Sequence, residues 1–183
     1  MSDSPTPHLP IVRPSALPLT AEAEATQRRA VVAEALSWRG TPYRQMGATK
    51  GPNGAVDCSM LLVRCWVDAG VFEEFDPRPY PASWYLHRSE ERYLAWMETV
   101  AAEIESPQPG DIVLWRFGRC FSHSGLMVSE TQFVHAFSVV RECQRGELTD
   151  PIVAWADSTG LVPRPRKFFS VWRRIRLSLG EDV

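Results

Sequence analysis

At 183 residues, with 44% hydrophobic and 23% charged side chains, the chain has the composition of a single-domain globular protein. Its formal net charge of -2 gives no basis for nucleic-acid binding through bulk electrostatics. No stretch approaches the roughly 20 consecutive apolar residues of a membrane span, so membrane insertion is not expected either.

The N-terminal residues 1–19 contain five of the fifteen prolines and show little hydrophobic periodicity. This composition predicts an extended arm with polyproline character, followed by one domain over 20–183. The first residues lack the basic segment and apolar run of a secretory signal. We therefore expect an enzyme that acts outside the cytoplasm to be delivered by another route.

Two helices are predicted before residue 71. Thr20 can cap the first, and Gly40 ends it. Asp57 can cap the second, in which Cys58 and the apolar residues after it recur at helical spacing as far as Gly70. Cys58 is therefore expected in the first turn of a helix, on the face that looks into the domain.

The rest of the chain predicts one more helix and then a sheet. Residues 44–56 are expected to form a loop, 71–88 an irregular surface segment, and 89–104 a helix. Short runs rich in valine and aromatic residues predict strands over 111–115, 124–129, 132–137, 139–143 and 168–175, with a loop over 144–166. Helices followed by strands predict an α+β domain with a mostly antiparallel sheet.

One cysteine and two histidines form a candidate nucleophile, base and orienting group. The start of a helix and a neighbouring imidazole both favour the thiolate, so Cys58 is expected to be activated. His123 and His135 lie twelve residues apart on two predicted strands. A two-residue turn at Glu130-Thr131 would place them on opposite faces, whereas a three- or five-residue loop or a bulge would place them on one face. A triad requires the second arrangement.

Five motifs follow one another along the chain: Gly40-Thr41-Pro42-Tyr43, Asp57-Cys58-Ser59, Pro109-Gly110-Asp111-Ile112, His123-Ser124-Gly125-Leu126 and Phe133-Val134-His135-Ala136. In this order they resemble the NlpC family of papain-like cysteine peptidases of bacterial cell walls, over about residues 28 to 143. The compact form with its Gly-Thr-Pro-Tyr start is particularly similar to the versions encoded with phage tails and gene-transfer-agent particles.

The resemblance implies a role for each matching residue. Cys58 would be the nucleophile, His123 the base and His135 the group that orients the base. Tyr43 would lie near the thiol, where its hydroxyl can help to bind the substrate or the oxyanion. No cofactor and no metal are implied.

The resemblance also implies a substrate, the amide between γ-D-glutamate and a diamino acid in peptidoglycan stem peptides. Asp57 and Ser59 would shape the pocket that reads the polar end of this substrate. Met60 departs from the family pattern, which usually has glycine there, and its side chain is expected to narrow the groove or to fill space beside Trp115.

The missing secretory signal, taken with the resemblance, leads to an expectation about place. The protein would be located in a virion tail, with other tail-tip proteins as partners, and would open the cell wall during genome entry. The proline-rich arm and a tryptophan-rich surface are the expected docking elements.

Several alternatives stay open. Cys120, His123, His135 and Cys143 could hold zinc, although structural zinc usually shows two short paired clusters. The four cysteines do not match a disulfide framework. The fold could also serve as a non-catalytic adaptor of the tail tip, or as an acyltransferase or amidase acting on another substrate.

Overall fold

The computed structural model describes residues 12–15, 19–80, 91–137, 161 and 164–181, and the backbone alone of 142–147. The helices are α1 (Ala21–Ser37), α2 (Cys58–Asp68), α3 (Arg92–Val100) and α4 (Val171–Ser178). The strands are β1 (Ala48–Thr49), β2 (Ala55–Val56), β3 (Ala102–Ile104), β4 (Ile112–Phe117), β5 (Cys120–Met127), β6 (Gln132–Phe137), β7 (Glu142–Glu147) and β8 (Arg166–Ser170). In the described part of the chain, no helix has the length and apolar character needed to cross a membrane.

Six strands form one sheet in the order β3-β8-β4-β5-β6-β7, and every neighbouring pair is antiparallel. This arrangement confirms the predicted α+β class and the antiparallel sheet. A separate two-stranded hairpin of β1 and β2 lies within the predicted loop over 44–56. The sequence did not predict it because strands of two residues leave no periodic pattern.

The two faces of the sheet bury two different apolar clusters. On the helix face, Leu114, Leu126 and Val134 pack with the buried residues of the helices. On the other face, Trp115 and Phe133 belong to a smaller cluster. Alternation of side chains along β4, β5 and β6 produces this division.

The tryptophans do not form the expected docking surface. The five in the described part of the chain, at positions 38, 66, 96, 115 and 172, are all buried. Trp84 and Trp155 lie outside the described residues. The prediction of a tryptophan-rich surface is therefore wrong for the residues that can be located.

Two predicted elements end earlier than expected. The helix over 89–104 stops at Val100, and Ala102–Ile104 becomes the edge strand β3, which pairs with β8. The strand over 168–175 stops at Ser170, whose side chain accepts a hydrogen bond from the Arg173 N–H and caps α4. A serine at an N-cap outweighs the β propensity of the residues that follow it.

Part of the proline-rich arm contacts the domain. Pro14 forms an isolated antiparallel bridge with Phe72, and the Ser15 N–H donates to the Val71 carbonyl at 3.0 Å. Leu19 is buried in the core. The remaining residues of the arm, like most of the predicted loop over 144–166, lie outside the described residues.

Candidate active site

The start of α2 is fixed by a buried carboxylate. Asp57 accepts the Met60 N–H at 2.8 Å as the helix N-cap, and the Met46 N–H at 2.7 Å. The Tyr80 hydroxyl donates to both carboxylate oxygens, at 2.9 and 2.7 Å. Both oxygens already accept internal hydrogen bonds, and Asp57 is buried in the free protein. The substrate-binding role of Asp57 stays a prediction.

Cys58 is the first residue of α2, as expected, but its surroundings raise the pKa of the thiol. Burial raises the pKa of the thiol to about 12, and the neighbouring Asp57 carboxylate acts in the same direction. The expectation that the helix start would favour the thiolate is therefore wrong for the free protein. A helix terminus contributes only about 0.3–1 kcal/mol to a surface charge, which does not offset the loss of solvation here.

The histidine pair depends on the length of one loop. The Val128 N–H donates to the Gln132 carbonyl at 2.8 Å, and Leu126 pairs with Val134, so the β5–β6 loop has three residues. This odd length places His123 and His135 on one face as diagonal neighbours. The His123 Nε2 and His135 Nδ1 atoms are 3.0 Å apart. The loop that a triad requires is thus the one that the structure contains.

Aromatic rings surround both imidazoles. The His123 ring stacks on Trp115 with centroids 5.5 Å apart, and Phe137 lies 4.6 Å away. Burial holds the pKa of His123 well below its usual value, with the charges of His135 and Arg164 as further causes. Burial alone lowers the pKa of His135 to about 3. Both rings are therefore neutral at neutral pH, and one must donate the hydrogen bond that the other accepts.

Strand β5 meets α2 with the face opposite to the histidines. The Ser124 hydroxyl donates to the Cys58 carbonyl at 3.3 Å and lies 2.6 Å from the Tyr93 hydroxyl. His123 is the preceding residue, so its side chain leaves the other face of the strand. Among the described residues, no hydrogen bond joins the Cys58 thiol to the His123 ring.

The other predicted site residues are placed as follows. Tyr43 is half-buried and forms a parallel bridge with Val56, two residues before Cys58. Ser59 is buried beneath the start of α2. Their roles toward a substrate stay predictions. Met60 is buried in the cluster on the helix face and Trp115 in the other cluster, so the expectation that Met60 fills space beside Trp115 is wrong. Its effect on the width of the groove stays a prediction.

No local pattern in the sequence indicates Tyr80, Tyr93 and Ser124 as neighbours of the nucleophile. Tyr80 belongs to a segment without periodicity, and Tyr93 has the spacing of an ordinary helix residue. The order of the motifs places Ser124 beside the base, but only the packing of α2 on β5 brings it to Cys58.

The described residues offer no site for the zinc alternative. Within the described ranges, no group of three or more histidine, cysteine, aspartate or glutamate side chains could hold a metal ion. Cys58, Cys65 and Cys120 form no disulfide with one another. The side chain of Cys143 lies outside the described residues.

A cysteine at the start of a helix, packed against an antiparallel sheet that carries paired histidines, defines a papain-like cysteine peptidase fold. The family model described as the NlpC/P60 family matches residues 40–154, which is more than half of the chain. The protein therefore belongs to the NlpC/P60 family, whose members are cysteine peptidases and peptidoglycan hydrolases.

Solved structures that match the chain are distant from it in sequence. NlpC2 from Trichomonas vaginalis is 15% identical, with a TM-score of 0.54 over 79% of this chain and 46% of that one. The peptidoglycan hydrolase RipB from Mycobacterium tuberculosis is 16% identical, with a TM-score of 0.51 over 84% of this chain and 68% of that one. The NlpC/p60 domain of the peptidoglycan hydrolase SagA is 20% identical, with a TM-score of 0.49 over 76% of this chain and 96% of that domain.

The chain spans less than half the length of NlpC2. No curated protein matches it.

Proposed function

We propose that the protein is a cysteine peptidase that cleaves peptidoglycan stem peptides. The observation that carries the proposal is the 3.0 Å contact between His123 and His135, on the strands that pack against the helix start of Cys58. Membership of a family of peptidoglycan hydrolases supports the class of substrate.

The first half of the proposed reaction forms an acyl-enzyme. The Cys58 thiol passes its proton to His123, which requires the two side chains to approach each other or to be bridged by water once substrate binds, because no hydrogen bond joins them among the described residues. The sulfur then attacks the amide carbon, which gives a tetrahedral oxyanion. The Cys58 backbone N–H, at the start of α2, can donate to that oxyanion. His123 then protonates the amine as the carbon–nitrogen bond breaks, and the acyl group stays on sulfur as a thioester.

The second half returns the enzyme to its starting state. His123 takes a proton from a water molecule, whose oxygen attacks the thioester, and the sulfur leaves and regains a proton. His135 holds the base in one tautomer throughout. If His135 Nδ1 accepts the hydrogen bond, His123 carries its proton on Nε2 and keeps Nδ1 free to act as the base.

The finer substrate assignment is the amide between γ-D-glutamate and a diamino acid, and it rests on the resemblance of the motifs. Digestion of purified peptidoglycan, followed by mass spectrometry of the released peptides, identifies the bond. We expect new amino termini on the diamino acid with the wild-type protein and none with Cys58→Ala. Full activity of Cys58→Ala, or loss of activity on chelation alone, would overturn the mechanism.

We further propose that the protein is carried at the tail tip of a phage-like particle and opens the wall locally during genome entry. The resemblance of the sequence motifs to those of tail-encoded members of the family supports this role. Mass spectrometry of purified particles tests it, and we expect the protein among the tail components. Its presence only in the supernatant of lysed cells would favour a free lytic enzyme.

The second candidate is a non-catalytic adaptor of the tail tip. The raised pKa of Cys58 favours this alternative, as does the lack, among the described residues, of a hydrogen bond between its thiol and His123. Particles that carry Cys58→Ala distinguish the two. An adaptor would leave their infectivity unchanged, whereas a peptidase would lose the ability to open the wall.

A further inference from the structure

Three buried hydroxyl groups lie beneath the start of α2, and the reaction proposed above does not use them. The Tyr93 hydroxyl is 2.6 Å from the Ser124 oxygen, and the Ser124 hydroxyl donates to the Cys58 carbonyl at 3.3 Å. The hydroxyl of Ser59, the second residue of α2, is the third. Each of these three residues is 5% exposed or less.

The hydrogen bonds run in one direction. Since Ser124 donates its proton to the Cys58 carbonyl, the short contact with Tyr93 must use the tyrosine proton, and Tyr93 donates to Ser124. The Tyr93 ring is stacked on Trp96 with centroids 5.5 Å apart and planes 9° apart, so the position of its hydroxyl is set by packing. The series of donors therefore ends at Cys58.

The chemistry of Cys58 needs such donors. Cys58 is half-buried as a residue, and burial of its thiol is the largest cause of its raised pKa. The Ser124 N–H and the hydroxyls of Ser59 and Ser124 lower the pKa, because they are donors available to a charged sulfur. The Ser124 hydroxyl can rotate about its Cβ–Oγ bond, because the Cys58 carbonyl at 3.3 Å holds it only weakly.

We propose that the Ser124 hydroxyl, oriented by Tyr93, turns from the Cys58 carbonyl to the Cys58 sulfur when the thiolate forms, and stabilises it there. Ser124 is then a catalytic residue, because it touches the reacting atom, and Tyr93 is a positioning residue. This inference rests on the proposed function in one respect, the assignment of Cys58 as the nucleophile.

The test measures the thiol directly and needs no substrate. The rate of alkylation by iodoacetamide at pH 8 is followed at Cys58 by peptide mass spectrometry, and below the thiol pKa this rate is proportional to the thiolate fraction. We expect Ser124→Ala to react about tenfold more slowly than wild type, since one pKa unit changes the thiolate fraction tenfold. Tyr93→Phe keeps the ring and should react about threefold more slowly, because it removes only the group that orients Ser124.

Ser170→Ala is the matched control. It removes a buried serine hydroxyl that caps a different helix, α4, and should leave the alkylation rate unchanged. If Ser124→Ala instead loosened the start of α2, the thiol would become more exposed and alkylation would be faster. This effect is opposite to the slower alkylation that the inference predicts. Thermal unfolding shows whether Ser124→Ala is folded. If it is not, the alkylation rate of Tyr93→Phe tests the inference.

Alkylation at the wild-type rate in the folded variants, or equal slowing in the control, would overturn the inference. Slower alkylation together with no cleavage of peptidoglycan would leave the inference standing and refute the proposed function.

Discussion

The two faces of β5 surround the ionisable groups of the site with different side chains. The face toward α2 places hydroxyl and N–H donors around the Cys58 thiol. The other face buries His123 and His135 among Trp115 and phenylalanine rings, where the imidazoles have each other as polar partners. One face can therefore stabilise a negative charge that is not yet formed, while the other opposes a positive charge.

This difference sets the resting state of the site. Burial raises the pKa of the thiol and lowers the pKa of both imidazoles, so the free protein keeps the proton on sulfur. A thiolate and an imidazolium would each lose solvation in these surroundings. The Cys58 thiol and the His123 imidazole are therefore both neutral in the free protein. We expect the proton to move from sulfur to imidazole only when substrate is bound.

The largest expected effect separates the two histidines. His123→Ala should lower kcat/KM on a stem-peptide substrate by about a thousandfold, in the range of general-base catalysis. His135→Asn should keep a rate within about a hundredfold of wild type, because the amide oxygen can accept the His123 Nε2–H in place of His135 Nδ1. Steady-state kinetics of the two purified variants measure both values. Equal losses at the two positions would mean that the base is misassigned.

The second prediction concerns stability on the histidine face. An unfolded imidazole binds a proton below about pH 6.5, whereas folded His135 does so only near pH 3. The unfolded state therefore binds more protons between these values, and acidification through this window lowers the free energy of unfolding.

Replacing His135 removes one of these groups. Between pH 7 and pH 5, His135→Asn should lose about 2 kcal/mol less of its unfolding free energy than wild type, from the difference in bound protons. Urea unfolding at the two pH values measures the change. A loss as large as that of wild type would show that His135 is already protonated in the folded protein.

The smallest effect is expected on the helix face. The Asp57 carboxylate is a cause of the raised pKa of Cys58, second to burial. The substitution Asp57→Asn keeps a side chain that can cap α2 and removes the charge. Alkylation of Cys58 at pH 8 should become a fewfold faster in this variant, on the order of the half pKa unit that a neighbouring charge contributes. Slower alkylation would show that the carboxylate supports the thiolate instead.

The sequence predicts the position of Cys58 and the pairing of His123 with His135 better than it predicts their pKa values. Cys58, His123 and His135 can be recognised because a capped helix and two strands leave local patterns, and because the order of the motifs is specific. The length of the β5–β6 loop stays open in the sequence, since both turn types fit the same residues. Tyr80 and Tyr93 could not be predicted, because their partners at the site are distant in sequence. Tyr80 contacts Asp57 across 23 residues, and Tyr93 contacts Ser124 across 31 residues.

The predicted direction of the thiol pKa shift is wrong for a related reason. Burial is a property of the packed domain, and a helix start seen in the sequence shows only the dipole and the cap. The same limit applies to residues 168–175, where a β-like run is divided by the cap at Ser170. Local sequence pattern indicates which residues are candidates for the site, and tertiary packing determines their protonation states in the free protein.

The pH dependence of Cys58 alkylation in the free protein is the most direct test of the neutral resting pair. With a thiol pKa of about 12, the rate should rise about tenfold with each pH unit from about pH 6 to pH 10, without a plateau. A rate that is already constant between about pH 5 and pH 8 would reveal a stable thiolate–imidazolium pair, and would contradict this account of the site.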